Sequence, residues 1–314
     1  LKTLFRLTAL SAALLGFSEG AWAAMNTKPA TGGAVFAIGD GSTSANGTGA
    51  LAIGNNAQAK TNGALAIGPN STHTTIANGN NAIAIGVNLQ ATGQKAIGIG
   101  TDTTANGSGA IAIGNNDANR MANQGVNGNG AIGVGSNLTA NGNNAIAVGT
   151  EAQATAISAV AVGANTQATG AEAVAIGKGA ASTASKALAF GQGARAQAGN
   201  TVAFGTGAQA TQDGSIAIGT NTIATGVYGE KSRKGKAIAI GYNTNALGES
   251  SIAIGTDDSF YGALTASSRQ GIAIGTGAKA TGATQSIALG PDAISSGTQS
   301  TSIGNNTRAT GDSS

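Results

Sequence analysis

The stretch NAIAIGVNLQATG, from Asn81 to Gly93, decides the fold, because its first half recurs along almost the whole chain. Eighteen times a short apolar run ends in a glycine: Gly39, Gly54, Gly68, Gly86, Gly100, Gly114, Gly135, Gly149, Gly163, Gly177, Gly191, Gly205, Gly219, Gly241, Gly255, Gly275, Gly290 and Gly304. Of the seventeen intervals between these anchor glycines, eleven are 14 residues and two are 15. The other four, 68 to 86, 114 to 135, 219 to 241 and 255 to 275, are stretched by inserts. A sustained period shorter than any helical repeat unit predicts an all-β, parallel β-solenoid in which one repeat makes one coil and each coil touches only its neighbours.

The residues around each anchor say what the coil demands. The position before the glycine is large and apolar, as at Ile38, Ile85, Val134, Phe190 and Leu289, and so is the position three before it, failing only at Thr301. Between these two stands Ala, Gly or Ser in every copy, from Ala37 through Gly98 and Gly133 to Ser302. Alternate strand residues point to opposite faces, so one face is a ladder of Ile and Val and the other a ladder of Ala and Gly. A strand side that met water would tolerate Thr, Lys or Glu, and none appears at the middle position, so both faces are read as buried. One coil has a single interior; the second buried face calls for another surface, most simply an identical chain related by rotation. The pattern leaves open which ladder turns inward.

Two residues after the anchor come five Gly, nine Asn, three Asp and Glu151. Gly, Asn and Asp accept left-handed backbone angles, which places a tight turn here. Small residues three and five after the anchor, such as Ala57 and Ala59 or Ala208 and Ala210, read as a short second strand. Glycines seven after it, such as Gly93, Gly142 and Gly170, mark a second turn. Eighteen coils stacked about 4.8 Å apart would form a rod of roughly 85 Å.

The repeat array, residues 34–311, leaves no room for a second core in a chain of 314 residues. Gly at 52 residues and aromatics at 3% depart from globular averages, and a core of Ile, Val and Ala ladders accounts for both. Near the start, Lys2 and Arg6 precede an apolar stretch from Leu7 to Phe17, and Ala21-Trp22-Ala23 has the form of a signal-peptidase site. Residues 1–23 are therefore expected to be a secretory signal lacking its first residues, with 24–33 a short leader to the repeats. The apolar stretch is about half the roughly 20 residues that a membrane-spanning helix needs. Without residues 1–23 the chain keeps 14 basic and 12 acidic groups, a balance that excludes a nucleic-acid-binding surface.

Little in the sequence suits catalysis or a cofactor. The sole histidine, His73, lies in an insert with no cysteine or carboxylate cluster to orient it, and reads as a surface residue. There are no cysteines, no G-G-x-G-x-D calcium-roll motifs and no sixth-position period of acyltransferase solenoids. Neither an enzyme nor a metal-stabilised roll is expected. The inserts hold the least repeat-like residues, and their placement reads as lying between the second strand and the next apolar run, so that all four project from one edge. They supply the candidate ligand-binding residues: Arg120 and Met121; Tyr228, Lys231, Arg233, Lys234 and Lys236; Phe260 and Tyr261. The lysines and arginines of the VYGEKSRKGK insert, residues 227–236, suit a sulfated glycan or a solvated turn.

The string from Asn81 to Gly93, with NNAIAVGTEAQATA and AEAVAIGKGAASTA further on, resembles the head repeat of trimeric autotransporter adhesins of the YadA type. The resemblance covers about 90% of the chain and implies a left-handed parallel β-roll and a homotrimer. It also implies display at the outer membrane of a Gram-negative bacterium and attachment to a host extracellular matrix protein or surface glycan. Such proteins also carry a coiled-coil stalk and a C-terminal β-barrel anchor, which the resemblance places outside residues 1–314, with 312–314 as a truncated end and membrane contact made only through that anchor. The runner-up is a monomeric surface- or ice-binding solenoid. It would need a regular array of Thr, and the array after the anchors, Thr101, Thr150 and Thr206, is broken by Asn55, Pro69 and Val87.

Overall fold

The computed structural model describes residues 24–25, 35–39, 42–68, 72–116, 125–228, 233–257 and 262–314, with 24–25, 227–228 and 233–234 as backbone alone. Each coil is a strand, a turn, a second strand and a second turn, as the period predicts. The first strands, from Phe36–Gly39 through Ile83–Val87 to Thr301–Ile303, stack in parallel and in register, so that Ile97 sits beside Ile83 on one side and Ile111 on the other. The second strands, such as Gln153–Ala154 and Gln167–Ala168, build a parallel sheet of their own. At the N-terminal end Ala24–Met25 lies antiparallel on the edge of the first coil, pairing Ala24 with Gly39 and Met25 with Ile38.

The core between the two sheets is made of the small residues. Ala52, Ala84, Ala147, Ala175 and Ala217 of the first sheet have no more than a trace of exposure, as do Ala57, Ala59, Ala152 and Ala154 of the second. The Ile and Val ladders instead point outward from the first sheet, and none of their described members is buried. This answers the question the pattern left open: the Ala and Gly ladder is the one that turns inward. Stacked sheets held together by methyl groups sit too close for two branched side chains to meet between them. Two places where large residues enter the core show the fit. Leu89 is fully buried opposite Gly98, where an added Cβ would lie 2.6 Å from Leu89 Cδ2. Gly133 makes the same room for Val126 and Leu138, at 2.4 and 2.5 Å.

Both turns are left-handed, and only the first follows the composition rule. Asn56, Asp102, Asn165 and Gly179 have positive φ at two after the anchor, and so does Glu151, at 58°. In the second turn the positive φ falls nine after the anchor, on Lys95, Ser158, Glu172 and Lys186, and not on glycines seven after it such as Gly93, Gly142 and Gly170; Gly226, next to the insert, is the exception at 54°. Those glycines are there for space: a Cβ on Gly142 would lie 1.8 Å from the Ala156 carbonyl oxygen of the next coil. The anchors combine both constraints, with Gly177 at φ 119° and the Gly191 carbonyl carbon and oxygen each 2.7 Å from its would-be Cβ.

Candidate interaction surfaces of the roll

A flat ribbon of two sheets has two broad outer faces and two edges of turns, and each surface carries a different chemistry. On the first sheet's outer face the column just before the anchors is the most open: Ile99, Ile113, Val134, Phe190, Phe204 and Ile218 are 37% to 46% exposed. Phe190 and Phe204 stack with ring centroids 4.7 Å apart and planes 6° from parallel. Unlike an ordinary strand face turned to water, this column has no polar member. It is a contiguous apolar stripe along the rod, of the kind that marks an interaction surface.

The second sheet's outer face is mostly polar; its charged members are Lys60, Arg195, Lys279 and Arg308. A hydrogen-bond chain runs along it, with Thr92 Oγ1 donating to Asn106 Oδ1 at 2.6 Å, Asn106 Nδ2 to Asn127 Oδ1 at 2.8 Å and Asn127 Nδ2 to Asn141 Oδ1 at 2.7 Å. Glutamines make a similar ladder on the second turns, Gln299 Nε2 donating to Gln285 Oε1 and Gln285 Nε2 to Gln270 Oε1. Sequence reasoning missed these ladders. Their signal was present: position six after the anchor is Thr or Asn in Thr92, Asn106, Asn141, Thr155, Thr169 and Thr183.

The edges hold the inserts, and here the structure corrects the sequence reading. The chain leaves the first strands Leu65–Ile67, Ile111–Asn115 and Ile252–Thr256, passes through an insert, and only then forms the second strands Thr75–Ala77, Gly125–Val126 and Thr265–Ala266. Three inserts therefore belong to the first turn. The fourth follows Ile223–Ala224 and belongs to the second turn, on the opposite edge. The single edge expected for all four does not exist. Second strands of two or three residues are too short to locate by pattern, but counting nine residues back from the next anchor finds their inward side chain at Ala77, Val126 and Ala266.

In chain order, the inserts that contain Arg120, Met121, Phe260 and Tyr261 follow first strands, and the one that contains Tyr228 to Lys236 follows a second strand. Arg120, Met121, Lys231, Phe260 and Tyr261 are outside the described residues, as are residues 1–23 of the expected signal. The backbone at Val227–Tyr228 and Arg233–Lys234 forms an antiparallel hairpin that pairs Tyr228 with Arg233 and Val227 with Lys234. Lys236 is exposed, its stem lying over Gly214 of the preceding coil. His73 is exposed, with Thr72 Oγ1 2.9 Å from its Nδ1. Glu249 and Arg269 form an ion pair at 2.9 Å across the coils that flank the 255 to 275 insert.

For a small-molecule site the roll offers little. A cavity lined by Thr103, Asn116, Val126, Gly133 and Leu138 holds about 10 Å³, room for a single water. Among the described residues no three of His, Cys, Asp and Glu gather as metal ligands, and no helix is long and apolar enough to cross a membrane.

Comparison with known families gives one decisive match. The YadA head domain repeat matches at residues 45–71, 73–88, 91–116, then in overlapping copies from 127–152 to 196–222, and again at 235–257, 266–293 and 295–314. This chain belongs to the YadA head family. No curated protein matches it. The YadA head family is a family of adhesins exposed at the bacterial surface, not of enzymes. Three of the gaps between the family matches, 117–126, 223–234 and 258–265, fall on inserts, so these are where this YadA-like head departs from its repeat.

Proposed function

We propose that this chain is the head of a homotrimeric adhesin that attaches a Gram-negative bacterium to host extracellular matrix protein or surface glycan. The observation that carries the reading is the outward Ile and Val stripe. Residues such as Ile99 and Phe204 remain more than a third exposed in one chain, and covering each would contribute about 1 kcal/mol. Three first sheets facing one axis would cover the stripes of all three chains and leave the second sheets outside. A long rod with three copies of every surface site suits many weak contacts, whose avidity exceeds any one of them. Export begins with the signal at residues 1–23; cleavage after Ala23 would leave Ala24–Met25 free to lie on the edge of the first coil, where they pair. The insert residues Arg120, Met121, Tyr228, Lys231, Arg233, Lys234, Lys236, Phe260 and Tyr261 are the proposed specific contacts.

Light scattering on the purified head at micromolar concentration tests the assembly: a species of three chains is expected, and a well-folded monomer would overturn it. Solid-phase binding to a panel of matrix proteins and glycans tests attachment, which uniform absence of binding would refute.

A further inference from the structure

We infer that the outer face of the second sheet is a binding surface for a neutral, hydroxyl-rich polysaccharide lying along the rod. The inference names a ligand class for the adhesin reading above and rests on it for its setting. Two columns make this face, the outward residues on either side of each second strand's inward one, as Gln153 and Thr155 flank Ala154 and Gly125 and Asn127 flank Val126. From Gln90 to Thr183, through seven coils, neither column carries a charged side chain; Lys95, Glu151, Glu172 and Lys186 stand on the flanking turns. Gln153, Thr155, Gln167, Thr169 and Thr183 are all exposed there. At about 4.8 Å per coil this uncharged tract is roughly 29 Å long.

Several properties of the tract select the ligand. Amides and hydroxyls both donate and accept, which matches sugar hydroxyls that do the same, whereas sulfated or phosphorylated polymers would find no cation in either column of this tract. An extended peptide would look for a sheet edge or apolar pockets, and this is an open polar face. The face is an unbroken stack of in-register strands with no enclosing pocket, which suits a polymer better than a small molecule that must be enclosed. The same chemistry returns on every coil, so a ligand with a repeating unit meets a repeating row of weak contacts. The chain from Thr92 through Asn106 and Asn127 to Asn141 holds those side chains in one orientation before any ligand arrives, which lowers the entropy lost on binding.

Affinity electrophoresis and pull-down of the whole chain on neutral polysaccharides, a mannan, a dextran and a β-glucan, with heparin as the anionic comparison, test the inference. Binding to at least one neutral polymer is expected, and heparin, drawn to the cationic insert at residues 227–236, should not compete with it. The double variant Gln167→Arg, Thr169→Lys should weaken that binding about tenfold or more, the worth of one or two hydrogen bonds. Its thermal melting should not change, because Arg195 and Lys60 already occupy the same two columns in other coils. Thr155→Val, which keeps the side-chain shape and removes the hydroxyl, should weaken binding severalfold. No neutral binding by the wild type, binding undiminished in the double variant, or thermal hysteresis without glycan binding would each overturn it. A trimer that binds matrix protein but no neutral polysaccharide would sink this inference alone, leaving the adhesin reading in place.

Discussion

Two glycines of one turn, Gly177 and Gly179, separate steric from conformational demand, because the same substitution meets opposite surroundings two residues apart. At Gly177 the backbone has φ 119°, a region open essentially to glycine alone, so an alanine there is strained by about 1–3 kcal/mol. Its Cβ would also lie 2.7 Å from both the carbonyl carbon and the oxygen of Gly191 in the next coil. Relieving that overlap pulls Gly191 away and breaks its amide hydrogen bond to the Ile176 carbonyl, 2.8 Å long, at a further cost of about 1–3 kcal/mol. At Gly179 φ is 68° and a Cβ would meet nothing within 4 Å. Only the left-handed penalty of about 1–2 kcal/mol remains. Gly177→Ala should therefore be destabilised by about 4 kcal/mol and Gly179→Ala by about 1, read as the difference in unfolding midpoint by circular dichroism in denaturant. Gly179→Asn should be nearly neutral, since Asn56, Asn88 and Asn165 adopt this conformation at the same position. Equal losses at the two sites, or a loss at Gly177 below about 1 kcal/mol, would refute the claim that the coils meet backbone to backbone at the anchors.

The core makes a paired prediction. Gly98→Ala should cost about 1–3 kcal/mol by overpacking Leu89, and Leu89→Ala should restore part of that loss in the double variant, leaving a coupling of about 1–2 kcal/mol in a double-mutant cycle of melting data. Placing lysines at Val148 and Val162 on the outward stripe should yield a monomer by light scattering while leaving the strand circular dichroism signal of the roll in place, because neither residue is in the single-chain core. Replacing Asn127 with Ala should remove two side-chain hydrogen bonds of the surface ladder, a loss of about 1–2 kcal/mol in thermal unfolding. Arg269→Ala strips Glu249 of its partner beside an insert and should cost about 1 kcal/mol, diminishing in salt.

Much of this architecture was legible because a repeat writes the same constraint many times. The period, the two strands and the first turn follow from positions that hold a narrow set of residues in almost every copy, and even Glu151, the residue that breaks the rule, obeys the geometry. The second turn was harder, since its left-handed residue is Lys95, Glu172 or Ser158 as readily as Gly130 or Gly214. There the backbone is held by the coil on either side: the Glu172 amide donates to the Ile157 carbonyl at 2.9 Å and the Lys186 amide to Ala171 at 2.9 Å. Tertiary pairing overrides the propensity that would have marked the place. The inserts were assigned to one edge for a related reason, that a strand of two residues leaves almost no pattern.

Which ladder turns inward was left open by hydrophobicity, and apolar content alone would have placed the Ile and Val ladder inside. Variation settles it better than composition does. Where the middle position of the first strand drops from Ala to Gly, at Gly98 and Gly133, the second strand carries a large residue at an inward position: Leu89 in the coil before Gly98, and Val126 and Leu138 on either side of Gly133. Outward residues have no reason to exchange volume with the opposite sheet, whereas residues sharing a closed interior do, and at these two places a methyl group given up on one side makes room for bulk on the other. The small ladder is thus the interior one. The Ile and Val ladder, which keeps its bulk in nearly every coil regardless of what the second strand does, answers to a surface outside the chain. That is the same conclusion the exposure of Ile99, Phe190 and Phe204 reaches from the coordinates.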